Sequence, residues 1–358
     1  MFADSFFLTV FFTGVILNIA FSLTLMNIWF ERKVSALMQD RLGANRAGLD
    51  LSLPRYLFFL RPFVFLFAKL GLFNTLFCDP VKAITKEDFK PSRMSALLHG
   101  LAPWTACFPI FLCFAFLPLG PKFSVGQATY NTQLISTDLD LLVVIALTTV
   151  AVYGTTLAGW VSGSKYAFLG ALRASAQMLS YELILGLTLL ATAIWYETAN
   201  LYAIGEAQKN LWGIFVMPLG FLLMFVAGMA ETKRGPFDLA ESESELVAGY
   251  FTEYSGMKFL LFWFGEFAEI ALLSFLLAIC FLGGWDLPFV SLKGDVFGFL
   301  LGHLSLMVKV VFLCLIQIVI RWTLPRFRYD QLMKLCWKYL LPLAIINVLM
   351  VLGLKWLS

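Results

Sequence analysis

Four ionisable side chains fall within stretches too apolar to offer them water. Glu182 lies about ten residues into an apolar run, after Ser180-Tyr181; Glu266 and Glu269 stand three apart in another, and Lys309 is more than halfway along a third. Residues three apart share one face of a helix. At the centre of a membrane helix each charge costs about 2.5–3.5 kcal/mol on insertion scales. Such a residue is retained either for function or as half of a structural ion pair. Lys309 could neutralise one carboxylate, but it cannot silence all three glutamates. The chemistry left to carboxylates away from water is the holding and passing of protons.

Three further segments are too polar and too patterned to be plain connectors. The first is Glu31-Arg32-Lys33, followed by Gln39, Arg41 and the turn Gly43-Ala44-Asn45-Arg46. It reads either as a basic anchor at the end of the first helix or as a lining of donors and acceptors around a polar head group, for which the always-charged arginine fork is suited. The second, residues 230–256, carries Glu231, Asp238, Glu241, Glu243, Glu245 and Glu253 against Lys233 and Arg234. It is either a solvated acidic loop or a packed one. The apolar Phe237, Leu239, Leu246, Val247 and Tyr250 favour packing, and crowded carboxylates in such a setting take up protons nearer neutrality. With Glu182, Glu231 and the loop acids would give protons a route from the loop into the bilayer. The third is the basic cluster Arg321, Arg326 and Arg328, most simply a helix-end anchor.

The elements that must position these residues follow from composition. Of 358 residues, 60% are hydrophobic and only 14% charged, against about a quarter charged in soluble domains. That excludes a soluble enzyme, a disordered chain and a coiled coil. A membrane span needs roughly 20 apolar residues. Eight candidates run near 6–29, 95–118, 140–162, 172–195, 212–230, 256–282, 296–320 and 337–356. The first is too long for a signal-peptide core and reads as a retained span. The stretch 54–77 is apolar but carries Arg55, Arg61 and Lys69, within roughly a 120° arc at helical spacing. It reads as an amphipathic helix lying in the interface. With that choice, 21 of the 26 lysines and arginines fall in the loops 30–94, 163–173, 231–258 and 321–338. The positive-inside rule places those loops in the cytoplasm and both termini outside. The expectation is one polytopic, all-α membrane domain spanning 1–358, with long cytoplasmic loops at 30–94 and 231–258.

Six scattered cysteines without a Cys-x-x-Cys pair, and two histidines, offer no ligand set for an iron–sulfur cluster, haem or zinc. A net charge of +3 gives no reason to expect nucleic acid as a partner.

Several stretches together resemble one family. They begin at Glu31 (ERKVSALMQDRLGANRAG), Asp79 (DPVKAITKED), Tyr153 (YGTTLAGWVSGSKYAFLGALRASAQMLSYELILGL), Ala230 (AETKRGPFDLAESESELVAGYFTEYSGMKF) and Arg321 (RWTLPRFRYDQLMKLCWKYLLPLAIIN). The resemblance is to the quinone-site membrane subunit of respiratory complex I, the H or subunit 1 family of NADH:quinone oxidoreductases. It implies a subunit of a proton-translocating enzyme, with quinone as substrate and no metal or flavin of its own. Electrons would come from an iron–sulfur cluster in a hydrophilic-arm neighbour, and small and antiporter-like membrane subunits would be further partners. The location implied is a bacterial inner membrane or the mitochondrial inner membrane. By motif, Arg32, Gln39, Arg41, Arg46 and Asp79 would line the quinone chamber, joined by Arg234, Phe237 and Arg321. Glu231, Asp238, Glu241, Glu243 and Glu245 would form the loop that senses quinone chemistry, and Glu182, Glu231 and Glu253 would start a proton path.

The chain departs from the family pattern in places. Ala44 stands where the family has Pro, Thr75-Leu76 where it has Gln-Pro, and Lys233 where it has Asn; about twenty residues near 49–70 are inserted. Two rivals within the wider resemblance are the membrane anchor of an energy-converting hydrogenase and a complex I-like enzyme with another electron donor. A stand-alone transporter would be expected to show internal repeats and broken helices, which the sequence lacks.

Overall fold

The computed structural model describes residues 2–43, 71, 78–89, 95–125, 128–209, 211–239, 247–287 and 295–357. The expected interfacial helix at 54–77, Arg46, the inserted segment, and Glu241, Glu243 and Glu245 lie outside the described residues.

The described chain is helical apart from one short hairpin. The helices are α1 (Phe2–Met38), α2 (Asp79–Thr85), α3 (Ala96–Cys113), α4 (Asp140–Val161), α5 (Lys165–Tyr196), α6 (Leu201–Ala207), α7 (Gly213–Val216), α8 (Pro218–Glu231), α9 (Gly256–Phe281), α10 (Val296–Thr323) and α11 (Tyr329–Leu357), the last passing through a π-helical segment at Leu335–Leu340. Strands β1 (Phe123–Val125) and β2 (Ala128–Tyr130) pair antiparallel, Phe123 opposite Tyr130, in the connection from α3 to α4. Among the described residues, seven helices are long and apolar enough to cross a membrane, so the chain is an all-α integral membrane protein.

The eighth expected span, 212–230, is not one long helix. It is broken at Met217 into α7 and the 14-residue α8, and at ~1.5 Å per residue α8 covers about 21 Å, short of the ~30 Å hydrocarbon core. The reason lies in the segment just after α8. Thr232, Lys233, Arg234, Phe237, Asp238 and Leu239 are all buried, so the chain leaves the helix inside the protein, where irregular backbone is tolerated at membrane depth. Its carbonyls are satisfied there: the Gln177 amide of α5 donates to Ala230 O at 2.7 Å and to Phe237 O at 2.8 Å, and Phe327 N donates to Pro236 O at 3.0 Å.

Two other boundaries differ from expectation. Helix α1 runs on to Met38 rather than ending near 29, because Glu31 and Arg32 find partners within the protein instead of water. Helix α5 starts at Lys165 rather than 172, and the connection from α4 turns at Gly163, whose φ of +60° favours glycine.

Helix α9 is the axis of the bundle, packed by α1, α3, α8 and α10. Its most apolar 18-residue window is wholly buried, as expected of a helix hydrophobic on every side. Close approach of the outer helices depends on small residues. A Cβ at Gly154 of α4 would stand 2.3 Å from Ala106 N of α3, so nothing larger than glycine fits there.

Candidate functional site

The charges that sequence scatters over five elements converge on the buried end of α8. Glu31 of α1 receives Arg321 of α10 in an ion pair and Arg234 at 3.3 Å. The other arm of Arg234 reaches Glu266 of α9 at 3.1 Å, and its guanidinium lies 4.1 Å from the centre of the Phe267 ring. Two carboxylates against two guanidiniums make this part of the cluster neutral. The Tyr250 hydroxyl donates to Glu266 Oε1 at 2.7 Å and accepts from Lys233 Nζ at 3.2 Å, with Lys233 Nζ itself 3.9 Å from Glu266 Oε1. A cavity of about 10 Å3, roughly the space one water needs, is lined by Lys233, Tyr250, Thr155, Glu266 and Glu269.

Deeper in the bundle, Glu231 and Glu182 line a second water-sized cavity. Glu231 is 2% exposed and its Oε2 has no hydrogen-bond partner among the described residues. Glu231 feels the charges of Glu269, Glu182 and Lys233. Glu182 takes the hydroxyl of Thr149 on α4. Glu266, Glu269, Glu231 and Glu182 thus form a series of enclosed carboxylates, and the spacing of Glu266 and Glu269 turns both toward it.

At the surface end of the bundle lies a crevice of about 780 Å3, lined by Arg32, Asp79, Lys82, Phe251, Tyr254 and Trp263 among others. Arg32 pairs with Asp79 of α2 at 2.6 Å across its rim. Consecutive residues form the wall between crevice and acids: Arg32 faces the crevice and Glu31 the cluster, Phe251 and Tyr250 do likewise, and Trp263 lines the crevice while Phe262 lines the inner cavity. Neighbours along a helix point about 100° apart, so single turns of backbone separate the two spaces.

The expected site residues divide accordingly. Arg32 and Asp79 line the crevice. Arg234 and Arg321 do not: they neutralise Glu31 within the cluster. Phe237 is buried against Phe327 at 5.5 Å between ring centres, away from the crevice. Gln39 and Arg41 are exposed and hydrogen-bond to each other at 2.7 Å. Asp238 pairs with Arg326 at 2.9 Å. Burial pushes its carboxyl above the usual aspartate range, while Arg326 and Arg321 pull the other way. Glu253 stands apart from the cluster; its backbone carbonyl sits 3.3 Å from His99 Nε2. Lys309 pairs with none of the three span glutamates, and the acid whose charge acts on it is Asp286. Its ammonium donates to the carbonyls of Leu282, Gly284 and Asp286, at 2.6–2.9 Å, just beyond the end of α9.

Sequence reasoning singles out Glu31, Glu266 and Glu269 without giving them a place in the quinone chamber or the proton path, and gives Lys233, Tyr250 and Gln177 no role. The i, i+3 acids of α9 carried a signal in their cost within a span. Gln177 gave a weaker one, as a lone amide in an apolar helix, and Tyr250 gave none.

Comparison with known proteins places the chain in a family. The model of a family described as NADH dehydrogenase matches residues 11–352. The chain belongs to the NADH dehydrogenase family. Within it, the chain is similar to NADH-quinone oxidoreductase subunit 8 of Rhodothermus marinus, 40% identical over 90% of each chain. It is similar to the H subunit of the NADH-quinone oxidoreductase of Flavobacterium psychrophilum, 37% identical over 94% of each. The H subunit of the F(420)H(2) dehydrogenase of Methanosarcina barkeri is 38% identical over 95% of this chain and 92% of the relative. Seven apolar helices and these NADH dehydrogenase relatives agree on a membrane location and on a place within a multi-subunit enzyme.

Proposed function

We propose that the chain is the membrane subunit in which a proton-translocating quinone reductase guides quinone to its electrons and converts the reduction into proton movement. The observation that carries this reading is the thin wall between two spaces. On one side is an open, largely apolar crevice with a charged rim, of a size that takes a small-molecule head group. On the other, one residue away, begins a series of enclosed acids leading into the bundle. A quinone that accepts two electrons from a neighbouring subunit must take up two protons to become quinol. The charge that passes near Arg32 and Glu31 in that process biases the acids only by interacting differently with their two protonation states. Arg234 and Arg321 hold Glu31 and Glu266 in place. Glu231, enclosed and incompletely bonded, and Glu182, on the same cavity, are the groups with room to gain and lose a proton. The loop acids Glu241, Glu243 and Glu245 would serve the sensing of quinone chemistry.

The basic loops face the cytoplasm of a bacterial inner membrane in this reading. Subunits of the hydrophilic arm cover the crevice, and antiporter-like subunits receive the signal beyond Glu182. Because relatives named for NADH-quinone and for F(420)H(2) enzymes are similarly close, the electron donor belongs to the neighbours and not to this chain.

Glu231→Gln in the assembled complex tests the proposal. Expected is a loss of quinone-dependent turnover of at least about tenfold, below even the low end of what a positioned proton-transferring group contributes, with assembly intact. Normal turnover and proton movement in that variant would reject the role.

A further inference from the structure

Among the described residues of the cluster, Lys233 is the one ammonium beside the two guanidiniums of Arg234 and Arg321. Two observations set it apart. First, its backbone has φ +54°, the left-handed region, which glycine or asparagine enters readily and lysine only at a cost. A residue held in such a conformation points to a use for its side chain. Second, the side chain is buried and aimed at the acids: Nζ is 3.2 Å from Tyr250 Oη and 3.9 Å from Glu266 Oε1, and it lines the water-sized cavity with Glu269. Glu31 and Glu266 are already balanced by Arg234 and Arg321. The Lys233 charge is therefore added to a group already in balance, and it acts on Glu266 at 3.9 Å and on the neighbouring acids Glu269 and Glu231.

Resting on the proposed function, we propose that Lys233 is a positioning residue that sets the pH range in which the enclosed acids exchange protons, by favouring their ionised forms directly and through Tyr250. The charged and titratable groups around it are Glu231 and Arg234 on its own segment, Glu266 and Glu269 on α9, Tyr250 on the adjoining turn and Glu182 on α5, with Glu31, Arg321 and Asp238 behind Arg234. Helices α3 and α4 offer it only Ala106, Ile110, Ala151 and Thr155 at the shared cavity. A cation within about 4–6 Å favours an ionised carboxylate by about 1–3 pH units.

The test compares wild type, Lys233→Asn and Lys233→Arg in membranes carrying the whole complex, reading quinone-dependent NADH oxidation across pH. Asparagine relieves the left-handed backbone, so assembly should be kept. Expected is that the limb on which turnover rises with pH moves about 1–3 units upward in Lys233→Asn and stays in place in Lys233→Arg, which keeps the charge. A Lys233→Asn profile that superimposes on wild type, or falls evenly at every pH, would overturn the assignment, as would an equal shift in Lys233→Arg. Should Lys233→Asn fail to assemble, Tyr250→Phe is read instead: a smaller upward shift supports the role and an unmoved limb removes it. Wild-type membranes without quinone-dependent turnover would instead remove the functional reading beneath it.

Discussion

Arg234 offers the sharpest test of how the cluster is held together. It bridges Glu31 and Glu266 at 3.3 and 3.1 Å, with side-chain exposures of 8% for Arg234, 13% for Glu31 and 5% for Glu266. At an effective dielectric near 20, unit charges about 3.2 Å apart attract by about 5 kcal/mol. Much of that offsets the desolvation of the three groups, so the pair as a whole contributes far less than the sum. Removing one partner is another matter, because it strands buried charge at a cost of about 3–5 kcal/mol. Arg234→Met leaves Glu31 with Arg321, and Glu266 with only the Lys233 ammonium at 3.9 Å, across the space the guanidinium filled. A loss of that size is comparable to a small domain's whole stability, and the assembled complex should nearly vanish from native gels of solubilised membranes. Arg234→Met with Glu266→Gln restores neutrality, one guanidinium to one carboxylate, and should recover a substantial part of the assembled complex. Arg234→Met assembling at wild-type levels, or a double variant no better than the single, would refute this electrostatic account.

Other consequences can be checked one by one. Glu182→Gln should keep electron transfer to quinone measurable yet reduce proton movement in sealed vesicles; unchanged proton movement would exclude Glu182 from the path. Arg32→Ala breaks a partly exposed pair with Asp79, so stability should change by less than about 1 kcal/mol while the KM for a soluble quinone analogue rises. Equal KM values would separate the crevice from quinone binding. Gly154→Ala drives a Cβ into the α3 backbone and should cost about 1–3 kcal/mol or more by overpacking, seen as a lower melting temperature of the complex. Asp238 is raised by burial, so its contribution to stability is present below the ordinary aspartate range and lost as pH rises through the higher native value. Asp238→Asn should flatten that dependence in thermal melts taken across pH.

Much of this protein was legible from sequence, for reasons that differ by element. The long spans follow from apolar length alone, because lipid demands continuous helix. The enclosed acids Glu182, Glu266 and Glu269 announced themselves by cost. The short α8 did not: an apolar stretch over 212–230 reads the same whether it crosses the bilayer as one helix or stops at Glu231 and continues as irregular chain inside the protein. What stops it is tertiary, the Gln177 amide and Phe327 N–H that satisfy a buried loop. For a similar reason Arg234, Arg321 and Phe237, which the motifs group with Arg32, lie in or behind the cluster and not on the crevice. Motif spacing places residues near one another but does not say on which side of a one-residue wall they point. Tyr250 illustrates the limit, since nothing in its sequence context separates a packing tyrosine from one that joins Lys233 to Glu266.

The ammonium of Lys309 closes off the distal tip of α9 by taking three carbonyls just past its last turn, where the negative end of the helix dipole welcomes a cation. The axial helix is thus riveted at one extremity and loaded with charge near the other. Sliding this helix lengthwise would break those three hydrogen bonds, so the rivet fixes the height at which Glu266 and Glu269 meet the turn after α8.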